Sequence, residues 1–298
     1  MYHKSVLYQE CIDGLDIKPD GIFVDATFGG GGHSRGILEN LNSEGKLFSF
    51  DQDPDALQNA IDDPRFTLIN QNFKFLKNFL QLYKALPVDG ILADLGVSSY
   101  QFDTPERGFS TRFDGRLDFR MNSNASLNGY DVVNTYTEEQ LADVFFHYGE
   151  LKNARRLASV IVNSRSEKKV ETTFELKDII RPLFPKMKEN KFMALVFQAL
   201  RIEVNQELDV LKDLLIQSTK VLKPGGRIAV ITFHSLEDRL VKNFFKAGNF
   251  KGVPEKDFYG NVNCPFKLIT RKPIVASAEE LELNSRSRSA KLRIAEKK

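Results

Sequence analysis

The sequence predicts an α/β fold in which helices cover both faces of a mostly parallel β-sheet and a helical segment interrupts the sheet-forming chain. Short apolar runs alternate with helix-compatible segments through the first hundred residues, a rhythm typical of βαβ units. From 137 to 215 the apolar spacing becomes helical, and a strand-like run returns at 227–233.

Four apolar runs are predicted as the first parallel strands, and three of them reach an aspartate near their carboxyl ends: GIFVDA, KLFSFD, RFTLIN and VDGILADL. Helix-compatible segments separate them: SRGILENL, DPDALQNAI and FKFLKNFLQLYKAL. Ligands of such sheets bind outside the carboxyl ends of the strands, so Asp25, Asp51 and Asp94 are expected at a binding site.

The domain organisation follows from the break in rhythm. Residues 1–104 and 216–298 are predicted to form the sheet-containing domain, and residues 105–215 an inserted helical domain. Thr137 and Gln140 have capping-box spacing at the start of one inserted helix. After the turn KPGGR, three late strands are predicted: RIAVITF, FKLITRKPI and AKLRIAEK.

Composition excludes several classes of protein. The two cysteines form no CxxC pair and the four histidines are scattered, so we expect no metal site and a reducing, cytoplasmic compartment. No apolar run approaches the ~20 residues that span a bilayer. The N-terminus MYHKSVLYQE has polar residues where a signal peptide is apolar.

Basic residues cluster in three segments although the net charge is only +2. The clusters lie at 155–169, 181–191 and 284–298. Two interpretations stay open, an ordinary solvated face or a surface that contacts phosphates.

The stretch VDATFGGGGHSRGIL, at 24–38, predicts a strand-to-helix turn that binds a ligand. A Walker A loop needs lysine and then serine or threonine after its last glycine, whereas His33, Ser34 and Arg35 stand here. A dinucleotide loop needs a third glycine, but Ser34 or Arg35 stands at its position. Both phosphate-binding interpretations are therefore disfavoured.

An acid precedes the glycines, since Asp25 is followed by three residues and then by Gly29 and Gly31. Asp51 follows Gly31 by twenty residues, where a carboxylate can accept ribose hydroxyls. An acid beside the loop suits a ligand that carries a cation next to an anion. S-adenosylmethionine has both groups, and its carboxylate can bind at a helix N-terminus. The pattern therefore predicts this cofactor.

Ordered blocks along nearly the whole chain resemble the bacterial small-subunit ribosomal RNA cytosine N4-methyltransferase family, called RsmH or MraW. The blocks are TFGGGGHSRGIL, FDQDPDAL, ILADLGVSSYQFD, ERGFS, RLDFRM, FQALRIEVNQEL, GGRIAVITFHSLEDRLVK and SRSAKLRIAE. The segment 246–284 matches poorly. The resemblance implies a class I methyltransferase fold, a Rossmann-like sheet with an inserted helical domain that recognises the 16S ribosomal RNA of the small subunit.

The resemblance also implies the cofactor contacts. Asp51 would bind the ribose and Phe73 would flank the adenine, and the remaining contacts would be Gly31, Gly32, His33, Asp94 and Gln101. Gly30 stands where relatives often carry a basic residue, which we do not expect to alter binding.

Asp94 is the first candidate for the acceptor of a proton from the target amino group, because it ends the fourth strand. The two prolines common after this position in methyltransferases of exocyclic amines are absent. A role for Asp94 in cofactor contact or loop capping alone stays open. His234, which ends a predicted strand within ITFHSLEDR, is the second candidate, and Glu237 and Asp238 are expected to begin the next helix.

The segment DTPERGFSTRFDGRLDFRM, at 103–121, has a composition that suits single-stranded RNA, since its arginines are interleaved with phenylalanines. The arginines are Arg107, Arg112, Arg116 and Arg120. Tyr100, Phe102 and Phe109 are candidates either to stack on an extruded base or to pack internally.

Two other classes of function remain as alternatives, and a homodimer stays open. A nicotinamide-dependent oxidoreductase would explain the βαβ order and Asp51, and an RNA-binding protein without activity would explain the basic segments.

Overall fold

The computed structural model describes residues 5–256, 258–260 and 262–298. The chain divides into two compact units. One unit comprises Met1–Gly96 and Leu208–Lys298, and the other comprises Val97–Glu207.

The first unit contains a seven-stranded sheet in the order β3-β2-β1-β4-β5-β7-β6. The strands are β1 (Ile22–Asp25), β2 (Lys46–Phe50), β3 (Phe66–Ile69), β4 (Val88–Asp94), β5 (Leu222–Thr232), β6 (Phe266–Leu268) and β7 (Lys291–Lys297). The first five are parallel, and β7 runs antiparallel between β5 and β6. All seven predicted strands are confirmed, and the carboxyl ends of β1, β2 and β4 meet at one edge.

The α-helices of the described residues are α1 (Tyr8–Leu15), α2 (Gly32–Glu39), α3 (Leu76–Leu82), α4 (Ser99–Asp103), α5 (Gly129–Thr135), α6 (Glu138–His147), α7 (Ala154–Glu167), α8 (Thr173–Ile180), α9 (Glu189–Asn205), α10 (Glu207–Val221), α11 (Ser235–Ala247) and α12 (Ala278–Leu283). The predicted helix in DPDALQNAI is instead a 3₁₀ helix over Pro54–Asn59, begun by a cap at Asp53. Among the described residues, no helix is both long and apolar enough to cross a membrane.

Neighbouring residues of each central strand pack on opposite faces of the sheet, because side chains alternate along a strand. Val24 and Ile91 lie in the core under α3, α10 and α11, whereas Phe23 and Leu92 lie in the core under α1 and α2. Burying a large apolar side chain contributes ~1.5–3 kcal/mol each, so covering both faces holds the strand ends in register.

The second unit has its own apolar core, formed by α5 to α9 and the loop before them. The predicted capping box at Thr137 and Gln140 is confirmed at the start of α6. The predicted polar loop is held by Arg107, whose guanidinium donates to the carbonyls of Arg120 and Met121 at 3.0 and 2.9 Å.

The units divide at 96/97 and 207/208, earlier than the predicted boundaries of 104/105 and 215/216. Gln206 takes a left-handed conformation (φ +52°) that ends α9, and α10 then starts. Leu211 and Leu214 of α10 pack into the core of the sheet. The helical periodicity of the sequence continues through this junction. The pattern alone therefore does not show where the chain leaves the core of the helical unit and enters the core of the sheet.

Candidate active site

The backbone of the glycine loop explains two of its four consecutive glycines. Gly29 and Gly31 have φ angles of +53° and +75°, which side-chain-bearing residues rarely adopt. Gly31 precedes α2, and its N–H donates to the carbonyl of Phe28 at 2.8 Å. No side chain of the described residues caps this helix start, so its first N–H groups remain suited to an anionic group of a ligand.

The other two glycines differ in what a side chain would meet. A Cβ atom on Gly32 would collide with the hydroxyl of Ser5, whereas a Cβ atom on Gly30 would have no atom of the described residues within 4 Å. Gly30 is therefore the position of the loop where a side chain has room.

Asp51 lies at the end of β2 and holds the glycine loop. Its Oδ2 accepts the N–H of Gly29 at 2.7 Å, and its Oδ1 accepts the N–H of Asp53 at 2.9 Å. Burial raises the pKa of Asp51 to about 6. Each carboxylate oxygen has a second lone pair, so Asp51 keeps the capacity to accept ligand hydroxyls.

Asp25 lies in the interior, and it is only 1% exposed. Its Oδ2 accepts from the hydroxyl of Ser34 at 2.6 Å, and its Oδ1 accepts from the N–H of Thr27 at 3.0 Å. Burial raises the pKa of Asp25. The expectation that this acid faces a ligand cation is therefore wrong: its carboxylate instead joins the end of β1 to α2.

Asp94 ends β4 beside the first turn of α2. Its backbone N–H donates to the hydroxyl of Thr27 at 2.6 Å, and its Oδ2 lies 3.8 Å from Nδ1 of His33. Its Oδ1 is buried and has no hydrogen-bond partner among the described residues. Burial, followed by the charges of Asp25 and Glu237, raises the pKa of Asp94 to about 8. A buried acceptor without a partner is costly, so Asp94 is the residue at this edge most suited to a ligand donor.

The imidazole of His33 is occupied inside the protein. Its Nε2 donates to the carbonyl of Val6 at 3.1 Å, and the ring stacks on Tyr8 with centroids 6.2 Å apart. Burial lowers the pKa of His33. A cofactor contact at this position would therefore have to come from the backbone of His33.

His234 precedes α11 and lies next to a buried acid. Its Nε2 is 3.2 Å from Oε1 of Glu237, and its Nδ1 is buried without a hydrogen-bond partner among the described residues. Glu237 accepts the N–H of Phe233 at 2.9 Å, and α11 begins at Ser235 as expected. His234 therefore belongs to a helix cap at the carboxyl end of β5.

The two remaining cofactor candidates lie in different parts of the fold. Phe73 begins a 3₁₀ turn and packs, half-buried, on the core of the sheet. Gln101 lies in the helical unit, where its Oε1 accepts the N–H of Ser98 at 3.0 Å and caps α4. The structure thus gathers the glycine loop, Asp51, His33 and Asp94 in one unit and assigns Gln101 to the other.

Thr27 is a positioning residue that the sequence did not single out. Its hydroxyl accepts from Asp94 and its N–H donates to Asp25, so it fixes the ends of β1 and β4 together. Only its place between the acid and the glycines hinted at this role.

The predicted RNA-binding arginines separate into two groups. Arg107 is buried, and Arg120 forms a two-pronged ion pair with Asp118, so both stabilise the loop. Arg112 and Arg116 are exposed.

The aromatic candidates separate in the same way. Phe109 is buried against Phe119, so the stacking interpretation is wrong for this residue and the packing interpretation holds. Phe102 is half-buried on the helical core, whereas Tyr100 is 56% exposed.

An aromatic and basic surface lies where the loop meets α8, and we call it the α8 platform. Its members are exposed or charged: Arg112, Phe113, Arg116, Phe174 and Lys177. The carbonyl of Phe113 accepts from the hydroxyl of Thr173 at 3.0 Å, and the ammonium of Lys177 lies 4.3 Å from the ring centroid of Phe174.

The basic C-terminal segment is largely structural. Arg293 is buried and donates from Nε and Nη2 to Asp238 at 2.7 and 3.3 Å. Lys297 donates to the carbonyls of Thr219 and Leu222. These two residues therefore belong neither to a solvated face nor to a surface that contacts phosphates, because their charges hold β7 to its neighbours.

The strand order, the antiparallel β7 and the glycine loop between β1 and α2 define a class I methyltransferase of Rossmann-like fold, as predicted. The model of the MraW methylase family matches residues 1–298, and the chain belongs to this family.

Relatives resemble the chain over nearly its whole length. A protein of Flavobacterium johnsoniae named ribosomal RNA small subunit methyltransferase H is 61% identical over 99% of this chain and 98% of its own. A protein of Parabacteroides distasonis with the same name is 60% identical over 99% and 97%. The crystal structure of a putative rRNA-methylase from Clostridium thermocellum covers all of both chains at 15% identity and a TM-score of 0.48.

Proposed function

We propose that this protein transfers the methyl group of S-adenosylmethionine to the N4 amino group of a cytosine in the decoding centre of 16S ribosomal RNA. The observation that carries the proposal is Asp94, a partly buried carboxyl at the carboxyl end of β4 whose buried Oδ1 has no hydrogen-bond partner among the described residues. The relatives named as small-subunit ribosomal RNA methyltransferases support the substrate class. Such a substrate implies that the protein works in the cytoplasm.

The residues at this edge suit the cofactor. The N–H groups at the start of α2 can bind its carboxylate, Asp51 can accept its ribose hydroxyls, and Phe73 offers an aromatic face for its adenine. Gln101 remains a proposed contact from the helical unit. The bound cofactor would supply a methyl group already activated by the sulfonium charge.

Asp94 would act on the cytosine. The N4 lone pair of cytosine is delocalised into the ring, so the amino group is a poor nucleophile. An acceptor at Oδ1 that takes a hydrogen bond from the amino group localises this lone pair and can receive the proton. Holding nitrogen and methyl in line contributes ~7–11 kcal/mol in favourable systems. His234 is the second candidate acceptor, because its Nδ1 also has no hydrogen-bond partner among the described residues.

The α8 platform supports RNA as the substrate. Exposed Phe113 and Phe174 can stack on unpaired bases, and Arg112 and Arg116 can contact phosphates. Extruding a base costs a few kcal/mol, which stacking and phosphate contacts can offset.

The test uses small ribosomal subunits and free 16S RNA from cells that lack this protein. Purified protein and isotope-labelled cofactor are added, and the RNA nucleosides are separated by mass spectrometry. We expect label in N4-methylcytidine, loss of transfer in Asp94→Asn, and normal transfer in Asp62→Asn, which changes an exposed acid.

Other outcomes would identify a different function. Label in another nucleoside would keep the cofactor and overturn the target atom. Binding to subunits without transfer would favour an RNA-binding protein. Calorimetric binding of a nicotinamide cofactor instead of S-adenosylmethionine would favour an oxidoreductase.

A further inference from the structure

His33 is buried and Asp94 is partly buried, and the two side chains face each other in an arrangement that cofactor binding does not require. Nδ1 of His33 lies 3.8 Å from Oδ2 of Asp94, while Oδ1 of Asp94 has no hydrogen-bond partner among the described residues. We propose that the pair shares one proton, and that His33 receives the proton of Asp94 when Asp94 accepts one from the substrate amino group. This inference rests on the proposed function.

The carbonyl of Val6 determines which nitrogen of His33 carries hydrogen. A carbonyl oxygen only accepts, so the 3.1 Å contact requires a proton on Nε2. In the neutral ring, Nδ1 is then an acceptor, and it points at Asp94. Burial and stacking on Tyr8 hold the ring in this orientation.

Nδ1 of His33 and a deprotonated Oδ2 of Asp94 would both be hydrogen-bond acceptors, so their close approach requires one proton between them. The negative charges of Asp25 on β1 and Glu237 on α11 act on Asp94. The charges of Asp94 and Asp25 also act on the thiol of Cys11 in α1. Because of these two acids and its own burial, Asp94 is disfavoured in its negatively charged form. The proton therefore rests on Oδ2 of Asp94, and the neutral imidazole faces it.

The distance of 3.8 Å is longer than a hydrogen bond. Catalytic hydrogen bonds are often long before the substrate binds and shorten in the complex. A small rotation of the Asp94 carboxyl, whose Oδ1 is not held by a hydrogen bond from any described residue, would bring Oδ2 closer to Nδ1.

The proton transfers balance. As the bond from N4 to the methyl carbon forms, the bond from sulfur to that carbon breaks and its electron pair neutralises the sulfonium. The amino nitrogen becomes cationic and loses a proton to Oδ1 of Asp94. The proton on Oδ2 passes to Nδ1 of His33, so Asp94 stays neutral and the imidazolium faces the negative charge of Asp25.

The substitution His33→Gln tests this transfer of protons through Asp94 to His33, which we call the relay. The glutamine amide can still donate to the carbonyl of Val6, but it offers no acceptor in the place of Nδ1. We expect unchanged cofactor affinity, a kcat lower by about 10–100-fold, and a pH dependence of kcat that is displaced to lower pH together with the titration of Asp94. Tyr8→Phe, which keeps the stacked ring, is the matched control and should retain the profile of the unchanged protein.

The cofactor-free protein supplies a readout that needs no activity. The chain has only four histidines, so ¹⁵N spectra resolve His33 by comparison with His33→Gln. We expect the neutral Nε2–H form at pH 7, and a ¹³C titration of the Asp94 carboxyl that moves to lower pH in His33→Gln. An Nδ1–H form, an unmoved Asp94 titration, or a variant with the unchanged kcat profile would each overturn the relay. A folded protein with the expected spectra but no methyl transfer would overturn the proposed function instead.

Discussion

The N–H of Gly29 donates a 2.7 Å hydrogen bond to Oδ2 of Asp51, which ties the glycine loop to the end of the neighbouring strand. The acid that is expected to bind the ribose therefore also shapes the loop that is expected to bind the carboxylate of the cofactor. Changes at Asp51 should act on both parts of the site together.

Asp51→Asn should weaken binding of S-adenosylmethionine by about 10–100-fold, because hydrogen bonds to a charged acceptor contribute ~1.5–3 kcal/mol. The amide oxygen can replace Oδ2 toward Gly29, but its NH₂ group would face the N–H of Asp53. Isothermal titration calorimetry measures the change, with Asp62→Asn as the control. Equal affinity in both variants would remove Asp51 from the site.

The affinity of the unchanged protein for the cofactor should also fall as the pH drops through about 6, where Asp51 gains a proton and loses an acceptor. In Asp51→Asn this dependence should disappear. Calorimetry at pH 5, 6, 7 and 8 would reveal it, and a parallel decline in the variant would assign it to another group.

Gly31→Ala and Gly30→Ala form a matched pair in the loop. Alanine at Gly31 would adopt a left-handed conformation and approach Phe28, at a cost of ~1–2 kcal/mol for the backbone alone. Alanine at Gly30 would contact none of the described residues and should change stability by less than about 0.5 kcal/mol. Urea unfolding of both variants checks the difference, and equal losses would contradict the loop geometry.

Asp94→Asn should stabilise the protein at alkaline pH. The folded-state pKa of Asp94, about 8, lies above the ordinary value of 3.8, so its stabilising contribution is complete below about pH 4. That contribution is lost as the pH rises through about 8. Because the side chain is 25% exposed, we discount the full shift and expect a gain of about 1–3 kcal/mol at pH 9.

The measurement is urea unfolding of the unchanged protein and Asp94→Asn at pH 6 and pH 9, without cofactor. The gain should be larger at pH 9 than at pH 6. An equal difference at both values would mean that Asp94 does not titrate in this range.

Phe113→Ala and Arg116→Ala should weaken RNA binding without changing cofactor affinity. Loss of base stacking costs ~1–3 kcal/mol per base, and loss of one phosphate contact reduces the salt dependence of binding by about one ion. Fluorescence anisotropy with a single-stranded 16S RNA fragment at several salt concentrations separates the two effects. Lys46→Ala, at an exposed lysine of the sheet unit, should bind normally. If all three variants bind alike, the α8 platform does not contact RNA.

Local patterns predicted most of the fold because strand alternation and helical spacing depend on neighbouring residues. The pattern failed at DPDALQNAI, where Asp53 caps a 3₁₀ helix instead of an α-helix. It also failed at Gln206, where the chain passes from one core to the other inside a continuous helical pattern.

The roles of charged residues were less accessible from the sequence. Asp25 was expected to face a ligand, but it bonds to Ser34 inside the protein. Arg107 and Arg293 lie in segments whose composition suggests a basic surface, yet both are buried and hydrogen-bonded. Composition reports that a charge is present but cannot report which partner removes it from the surface.

The sequence by itself determined the order of strands and helices, the glycine turn after β1 and the acids at the strand ends, because these features depend on residues close along the chain. Only the tertiary structure decided which of those acids keeps an acceptor for a ligand. Asp94 meets Thr27 across 67 positions, and His33 meets Val6 across 27. Desolvation and hydrogen bonding depend on neighbours in space, so the chemistry of each carboxyl emerges only when the chain is folded.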